Sequence, residues 1–275
     1  MRRDEIAGRL LLACSARLDT DAGPQGTAFF VAPRFAVTAA HVIGGVNGLE
    51  VQLNEGSRNW RGHVVGVHPS LHRKIATTSL YPAPDVALIK VDEGPRHACA
   101  LLAKYPSTHD AEVMARGYTD TLDQRAVTAE TETFRLTGVL ETTDPDCTLL
   151  KLGLGEASSG MSGAPVLDLR TWEVLGMLRT SRKLRSNLGG WVVPADLIRL
   201  LWPEEVGLAN DRFHEQYPLW RETASQLRDH RSADSTRAGP SIGTIQADIV
   251  ITGDNNAPVN IEYGPGNGRR ASGTR

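Results

Sequence analysis

Gly26-Thr27-Ala28-Phe29-Phe30-Val31-Ala32-Pro33-Arg34-Phe35-Ala36-Val37-Thr38-Ala39-Ala40-His41 sets the pattern for most of this chain. An apolar run over 26–31 meets a Pro-Arg turn. A second run over 35–38 then leads to a histidine behind small residues. Apolar runs of this length, bounded by Gly, Pro and Asp, read as strands. The same grammar extends outward to 9–18 on one side. On the other side it recurs at 48–53, 61–67, 85–91, 112–118, 133–140, 148–152, 165–168, 174–178 and 190–193. No helical pattern of 10–15 residues recurs between these runs, which argues against βαβ units. An all-β barrel or sandwich is expected.

The pattern changes after Val193. Pro194 opens a helix carrying Leu197, Ile198, Leu200 and Leu201, with Pro203 as its stop. Phe213, Tyr217, Trp220, Ala224 and Leu227 then follow at helical spacing, with Pro218 splitting the run. Residues 231–241 read as a linker. Ile245, Ala247, Ile249 and Ile251 alternate with polar residues, Gly253-Asp254-Asn255-Asn256 signals a turn, and Val259, Ile261 and Tyr263 alternate again. That is a β-hairpin. A lone hairpin is marginal in water, so it should rest on its own barrel or on another protein. The expected division is a main body over 1–205, a helical extension and linker over 206–238, and a hairpin tail over 239–275 whose last dozen residues are disordered.

Composition narrows the function classes. Of 275 residues, 40% are apolar and 23% charged, and the net charge is −2. That is a globular composition, not a nucleic-acid binder working through bulk charge. No apolar run reaches the roughly 18 residues of a membrane span. Asp4, Glu5 and Arg9 interrupt the basic N-terminus, so it does not read as a signal peptide. Cys14, Cys99 and Cys147 are odd in number and widely spaced, as expected of buried thiols in the cytoplasm. His63, His68 and His72 lack cysteine or carboxylate companions. No metal site and no cofactor are expected.

Three segments carry chemistry: the one ending at His41, Pro84-Asp85-Val86-Ala87-Leu88-Ile89-Lys90-Val91, and Ser159-Gly160-Met161-Ser162-Gly163-Ala164-Pro165-Val166. They supply a base, a carboxylate and a hydroxyl in a glycine-rich turn. A serine hydroxyl needs a base to take its proton and needs N–H groups aimed at the developing oxyanion. Taken alone, each segment has a plainer reading: a tight turn, a core histidine, a strand-start aspartate.

Together, in the order His41, Asp85, Ser162, they resemble the trypsin/chymotrypsin-like serine peptidases over about residues 9–202. Thr38-Ala39-Ala40-His41 is similar to the family's histidine motif, Asp85-Val86-Ala87-Leu88 to its aspartate motif, and Gly160-Met161-Ser162-Gly163-Ala164-Pro165 to its serine motif. The resemblance implies two perpendicular six-stranded barrels with the site in the cleft between them. It assigns His41 as base and acid, Asp85 as the group orienting the imidazole, Ser162 as nucleophile, and the N–H groups of Gly160 and Ser162 as the oxyanion hole. Ser158 and Ser159 are rivals that lack the Gly-x-Pro sequel.

The chain departs from secreted members of the family. Val42 and Ser158 stand where their disulfide cysteines stand, which points to a disulfide-free intracellular type, HtrA-like in style. Met161 replaces the aspartate that a newly cut N-terminus pairs with in zymogens, so activation by N-terminal cleavage is not expected. Glu156, six residues before the serine, would select Arg or Lys side chains. The segment Gly176-Met177-Leu178-Arg179-Thr180-Ser181 matches the strand that pairs with substrate backbone, and Arg179 in it would favour acidic side chains. The expected function is a serine endopeptidase with residues 239–263 as a partner-recruiting segment. The alternative is a peptidase-like adaptor without activity.

Overall fold

Strands dominate because apolar runs recur at strand length. The innermost strands bury nearly all of their residues, while others alternate between faces: β6 (Val86–Val91) exposes only Lys90, and β10 (Pro165–Asp168) buries all four. In the computed structural model, residues 3–69, 82–94, 96–105, 110–123, 126–142, 147–181, 188–223, 249–252 and 260–263 are described.

The first barrel contains β1 (Ser15–Thr20), β2 (Gly23–Ala32), β3 (Phe35–Thr38), β4 (Glu50–Glu55), β5 (Arg58–His68) and β6. They close in the order β1-β2-β3-β6-β5-β4. The second contains β7 (Glu112–Asp123), β8 (Ala126–Glu141), β9 (Thr148–Gly153), β10, β11 (Val174–Ser181) and β12 (Gly190–Pro194), closed as β10-β11-β12-β9-β8-β7. Both are fully antiparallel with one crossover each, and each sheet closes on itself. All twelve expected strands are present. Inside the first barrel the Phe30 ring stacks on His97 at 3.6 Å and meets Trp60 edge-on at 4.9 Å.

The first expected strand needs correction. Residues 3–14 form a helix, α1 (Arg3–Cys14), and β1 begins only at Ser15. Ile6, Ala7, Leu10, Leu11 and Cys14 are buried, and their spacing marks one helical face. Asp4 and Glu5 sit in the first turn, where the helix dipole favours them. Ser15 Oγ donates to the Leu11 carbonyl at 2.6 Å and so caps the end.

The C-terminal helices also differ in detail. α2 (Ala195–Leu201) starts after Pro194 as expected, but Pro203 begins a π-helical turn, Pro203–Leu208, rather than ending the helical path. A proline at a first helical position loses no hydrogen bond. α3 (Ala209–Gln216) follows and stops before Pro218, and helical turns resume over 219–223. The buried face carries Asn210, His214 and Trp220, whereas Phe213 and Tyr217 of the expected face are only half-buried. The polar member matters most. Asn210 Nδ2 donates to the Val31 and Ala100 carbonyls at 2.7 Å each, and its Oδ1 accepts from Leu102 N at 3.2 Å. The helix thereby satisfies backbone groups of the first barrel and of the segment joining the barrels.

Strands β13 (Ile249–Thr252) and β14 (Asn260–Tyr263) pair antiparallel, with Ile251 opposite Ile261. The expected turn at 253–256, the linker at 231–241, Ala224, Leu227 and the last dozen residues lie outside the described part.

Asn210→Ala leaves two buried carbonyls and one N–H unpaired, and should cost about 3 kcal/mol in urea unfolding at 25 °C. An unchanged midpoint would refute that role. A second expectation concerns pH. Burial pushes the imidazoles of His97 and His214 down to about 4. Each is neutral in the fold and takes up a proton in the unfolded chain near its ordinary value of about 6.5. Their stabilising contribution is therefore complete above that value and is lost as pH falls towards 4. The urea midpoint should drop between pH 7 and 5, and less steeply in His214→Phe.

Candidate functional site

The register of β3 against β6 brings His41 to Asp85. With Phe35 opposite Lys90 and Thr38 opposite Ala87, the chain leaving β3 faces the chain entering β6. His41 lies in the tight turn Ala40–Ile43. Asp85 stands at φ +63, a left-handed conformation that Asp tolerates better than most residues but that still costs of the order of 1 kcal/mol. Contacts with residues 40–41 hold it there. Ala40 N donates to the Asp85 carbonyl at 3.2 Å, and His41 N donates to Oδ1 at 2.9 Å. The ring completes the pair, with Nδ1 2.8 Å from Oδ2. Asp85 is 1% exposed, whereas the His41 side chain is about one third exposed. The carboxylate is hidden and the imidazole can be reached.

Ser162 comes from the second barrel, between β9 and β10. Met161 N bonds to the Ser158 carbonyl, and Ala164 N to that of Met161, so the segment folds back on itself. Gly163 N and the Leu178 carbonyl, with Leu178 N and the Ala164 carbonyl, tie it to β11. Gly160 and Gly163 have φ of +88 and +92, open to glycine without penalty. A Cβ on Gly160 would strike the Tyr118 carbonyl, and one on Gly163 the Thr27 carbonyl.

Thr27 in β2 joins this loop to the histidine side. Its N–H donates to the Ser162 carbonyl at 3.0 Å and its Oγ1 to the Gly160 carbonyl at 2.9 Å. The same Oγ1 accepts from Tyr118 N at 2.9 Å, and the Thr27 carbonyl accepts from Thr38 Oγ1 at 2.7 Å. Gly26 lies between the serine and histidine segments: a Cβ there would be 3.1 Å from both the Ser162 carbonyl oxygen and Val42 Cγ1. Ser162 thus lies beside the turn that carries His41. Among the described residues the Ser162 hydroxyl and the N–H groups of Gly160 and Ser162 make no hydrogen bond. Met161 is fully buried, and Ser159 is exposed.

The expected specificity residues are distributed differently. Glu156 is half-buried, and its N–H donates to Glu132 Oε1 at 3.3 Å. Thr180 and Ser181 end β11, opposite Trp191 and Gly190; their side chains lie outside the described part. Arg179 is bound to Asp85. Its side chain is 9% exposed and Nε donates to Asp85 Oδ2 at 3.0 Å. Thr27 was not singled out in the sequence. A hydroxyl two residues from a run of aromatic and β-branched residues carries no signal of the serine loop and the strand it joins.

The model of the trypsin-like peptidase domain matches residues 26–177, and this chain belongs to that family. No curated protein matches it in sequence. Among solved structures, it is similar to a serine-to-alanine mutant of Rv3671c from M. tuberculosis H37Rv in an inactive form. Identity is 19% and the TM-score 0.54, with 74% of this chain and 90% of that one covered. The active form of the Rv3671c protease from M. tuberculosis gives 22% identity and a TM-score of 0.52, covering 73% and 84%. At such identities the likeness speaks to the fold.

Thr27→Val removes the hydroxyl that meets Gly160 and Tyr118. Unfolding free energy should fall by about 2 kcal/mol, as expected for buried groups left unpaired. A thermal midpoint equal to wild type would exclude the joining role.

Proposed function

We propose that the chain is a serine endopeptidase that hydrolyses peptide bonds in protein substrates through His41, Asp85 and Ser162. The observation that carries this reading is the 2.8 Å contact between His41 Nδ1 and the buried Asp85 carboxylate, beside a serine in a glycine turn. Asp85 fixes the tautomer with a proton on Nδ1, leaving Nε2 with its lone pair. Nε2 takes the Ser162 proton as Oγ attacks the amide carbonyl, and then passes it to the leaving amine. Water repeats the sequence on the acyl-enzyme. In an enzyme without substrate, a slack serine–histidine contact is ordinary and tightens on binding. The free N–H groups of Gly160 and Ser162 suit an oxyanion hole, which would be a large part of the acceleration.

Substrate backbone would pair with β11 at Thr180 and Ser181, and Glu156 would favour Arg or Lys side chains. Beside Ser162 stands Met161, buried in the core, and not a carboxylate for a cut N-terminus to meet, which supports activity without such a cut. Three buried free thiols support a cytoplasmic setting. Among the described residues no helix is long and apolar enough to cross a membrane. Both barrels close without β13 and β14, which supports a recruiting role for residues 239–263.

An alkyl fluorophosphonate should label the wild type and not Ser162→Ala. Asp85→Asn should lower peptide turnover by roughly 10⁴, through loss of the productive tautomer. A wild type that stays unlabelled while still capturing a partner would favour the adaptor reading instead. Deleting 239–275 should leave labelling intact and weaken capture. In a peptide library, cleavage after Arg or Lys should fade in Glu156→Gln; no such preference in the wild type would remove the basic-pocket assignment.

A further inference from the structure

We propose that Arg179 is a positioning residue for the peptidase reaction: its guanidinium holds the Asp85 carboxylate aimed at His41 and keeps the imidazole in its basic form as the medium becomes acidic. The proposal rests on the triad reading above. It departs from the expectation that Arg179 selects acidic substrate side chains, because the group is buried against Asp85.

The geometry is specific. Asp85 Oδ1 accepts from His41 N at 2.9 Å, while Oδ2 is shared by His41 Nδ1 at 2.8 Å and Arg179 Nε at 3.0 Å. Among the described residues, His41 and Arg179 are the charged groups in contact with Asp85, and Asp85 is the charged group in contact with His41. The three come from three places: the turn after β3, the residue before β6, and β11 of the other barrel. A side chain 9% exposed cannot turn out to meet substrate without leaving its carboxylate, and a guanidinium stays charged throughout the working pH range.

Two consequences follow from that charge. First, an N–H donor on Oδ2 fixes the rotation of the carboxylate, so the lone pair facing Nδ1 does not wander. Second, when His41 takes the serine proton, imidazolium and guanidinium face one carboxylate. The fixed cation opposes the second positive charge through a poorly screened interior. Removing the guanidinium should therefore ease protonation of the imidazole, which the acid side of a rate profile reads.

The test uses an alkyl fluorophosphonate, which carries no charged side chain for a specificity pocket to read, and follows its labelling rate from pH 5 to 9. Arg179→Gln should label about tenfold more slowly on the plateau, as expected for loss of a charge-assisted bond. Its acid limb should move up by about one pH unit. Arg179→Lys keeps the charge without the planar donor, so it should keep the limb in place while the plateau falls. Profiles of both variants that superimpose on wild type would overturn the proposal, as would a changed preference for acidic peptides with unchanged labelling. A merely structural role would scale the labelled fraction without moving the limb. If Arg179→Gln does not fold, Arg179→Lys decides alone: an unchanged plateau overturns the positioning role. If the wild type is not labelled, the triad reading fails by itself. The arginine is then judged in Ser162→Ala by nitrogen NMR of His41: an upward move of its titration midpoint in Arg179→Gln supports the proposal, and no move refutes it.

Discussion

A carboxylate taken almost wholly out of water has to be met by donors, and meeting Asp85 organises the site. Its charge could not stand at 1% exposure without the backbone N–H and ring of His41 and the guanidinium of Arg179. Those donors come from two separated segments, one in each barrel, so the carboxylate is satisfied only when both barrels are folded and docked. The left-handed backbone at Asp85 is held by the same contacts, including the bond from Ala40 N to its carbonyl. Local strain and long-range pairing therefore depend on one another.

The barrels deliver these groups through register. Thr38 opposite Ala87 in the first barrel sets His41 across from Asp85, and the pairing of β10 with β11 sets the serine loop beside Arg179. Neither result depends on unusual chemistry in β3, β6, β10 and β11, where Val, Leu, Ala and Phe predominate. Closure supplies precision because a slipped strand would exchange its inner and outer faces. The helices at the two ends of the chain are fastened differently. α1 buries one apolar face, while α3 enters through Asn210, which completes backbone hydrogen bonds that the strands leave open.

Much of this was legible in the amino-acid sequence. The twelve strands were, because apolar runs and Gly/Pro punctuation are local signals, and so were the histidine, aspartate and serine segments, whose neighbours form short motifs. What escaped detection was not local. The run Leu10-Leu11-Leu12 suits a strand as well as a helix, and the burial of Ile6 and Ala7 one turn earlier decides between them. Phe213 and Tyr217 looked like a core face, yet Asn210 and His214 point inward, because unpaired carbonyls of distant strands outweigh side-chain apolarity. Arg179 sits among Gly176, Met177 and Leu178 and looked like a specificity charge; its partner lies 94 residues away. Thr27 is one threonine among many until Gly160, Ser162, Tyr118 and Thr38 are seen around it.

That threonine carries one more implication. Thr27 belongs to the first barrel, yet it grips both the carbonyls of the serine loop and the amide of Tyr118 in the second. Any hinge motion that parts the two halves must release Gly160 and Ser162 at the same moment. Parting the barrels and dismantling the glycine-rich serine turn are then a single event.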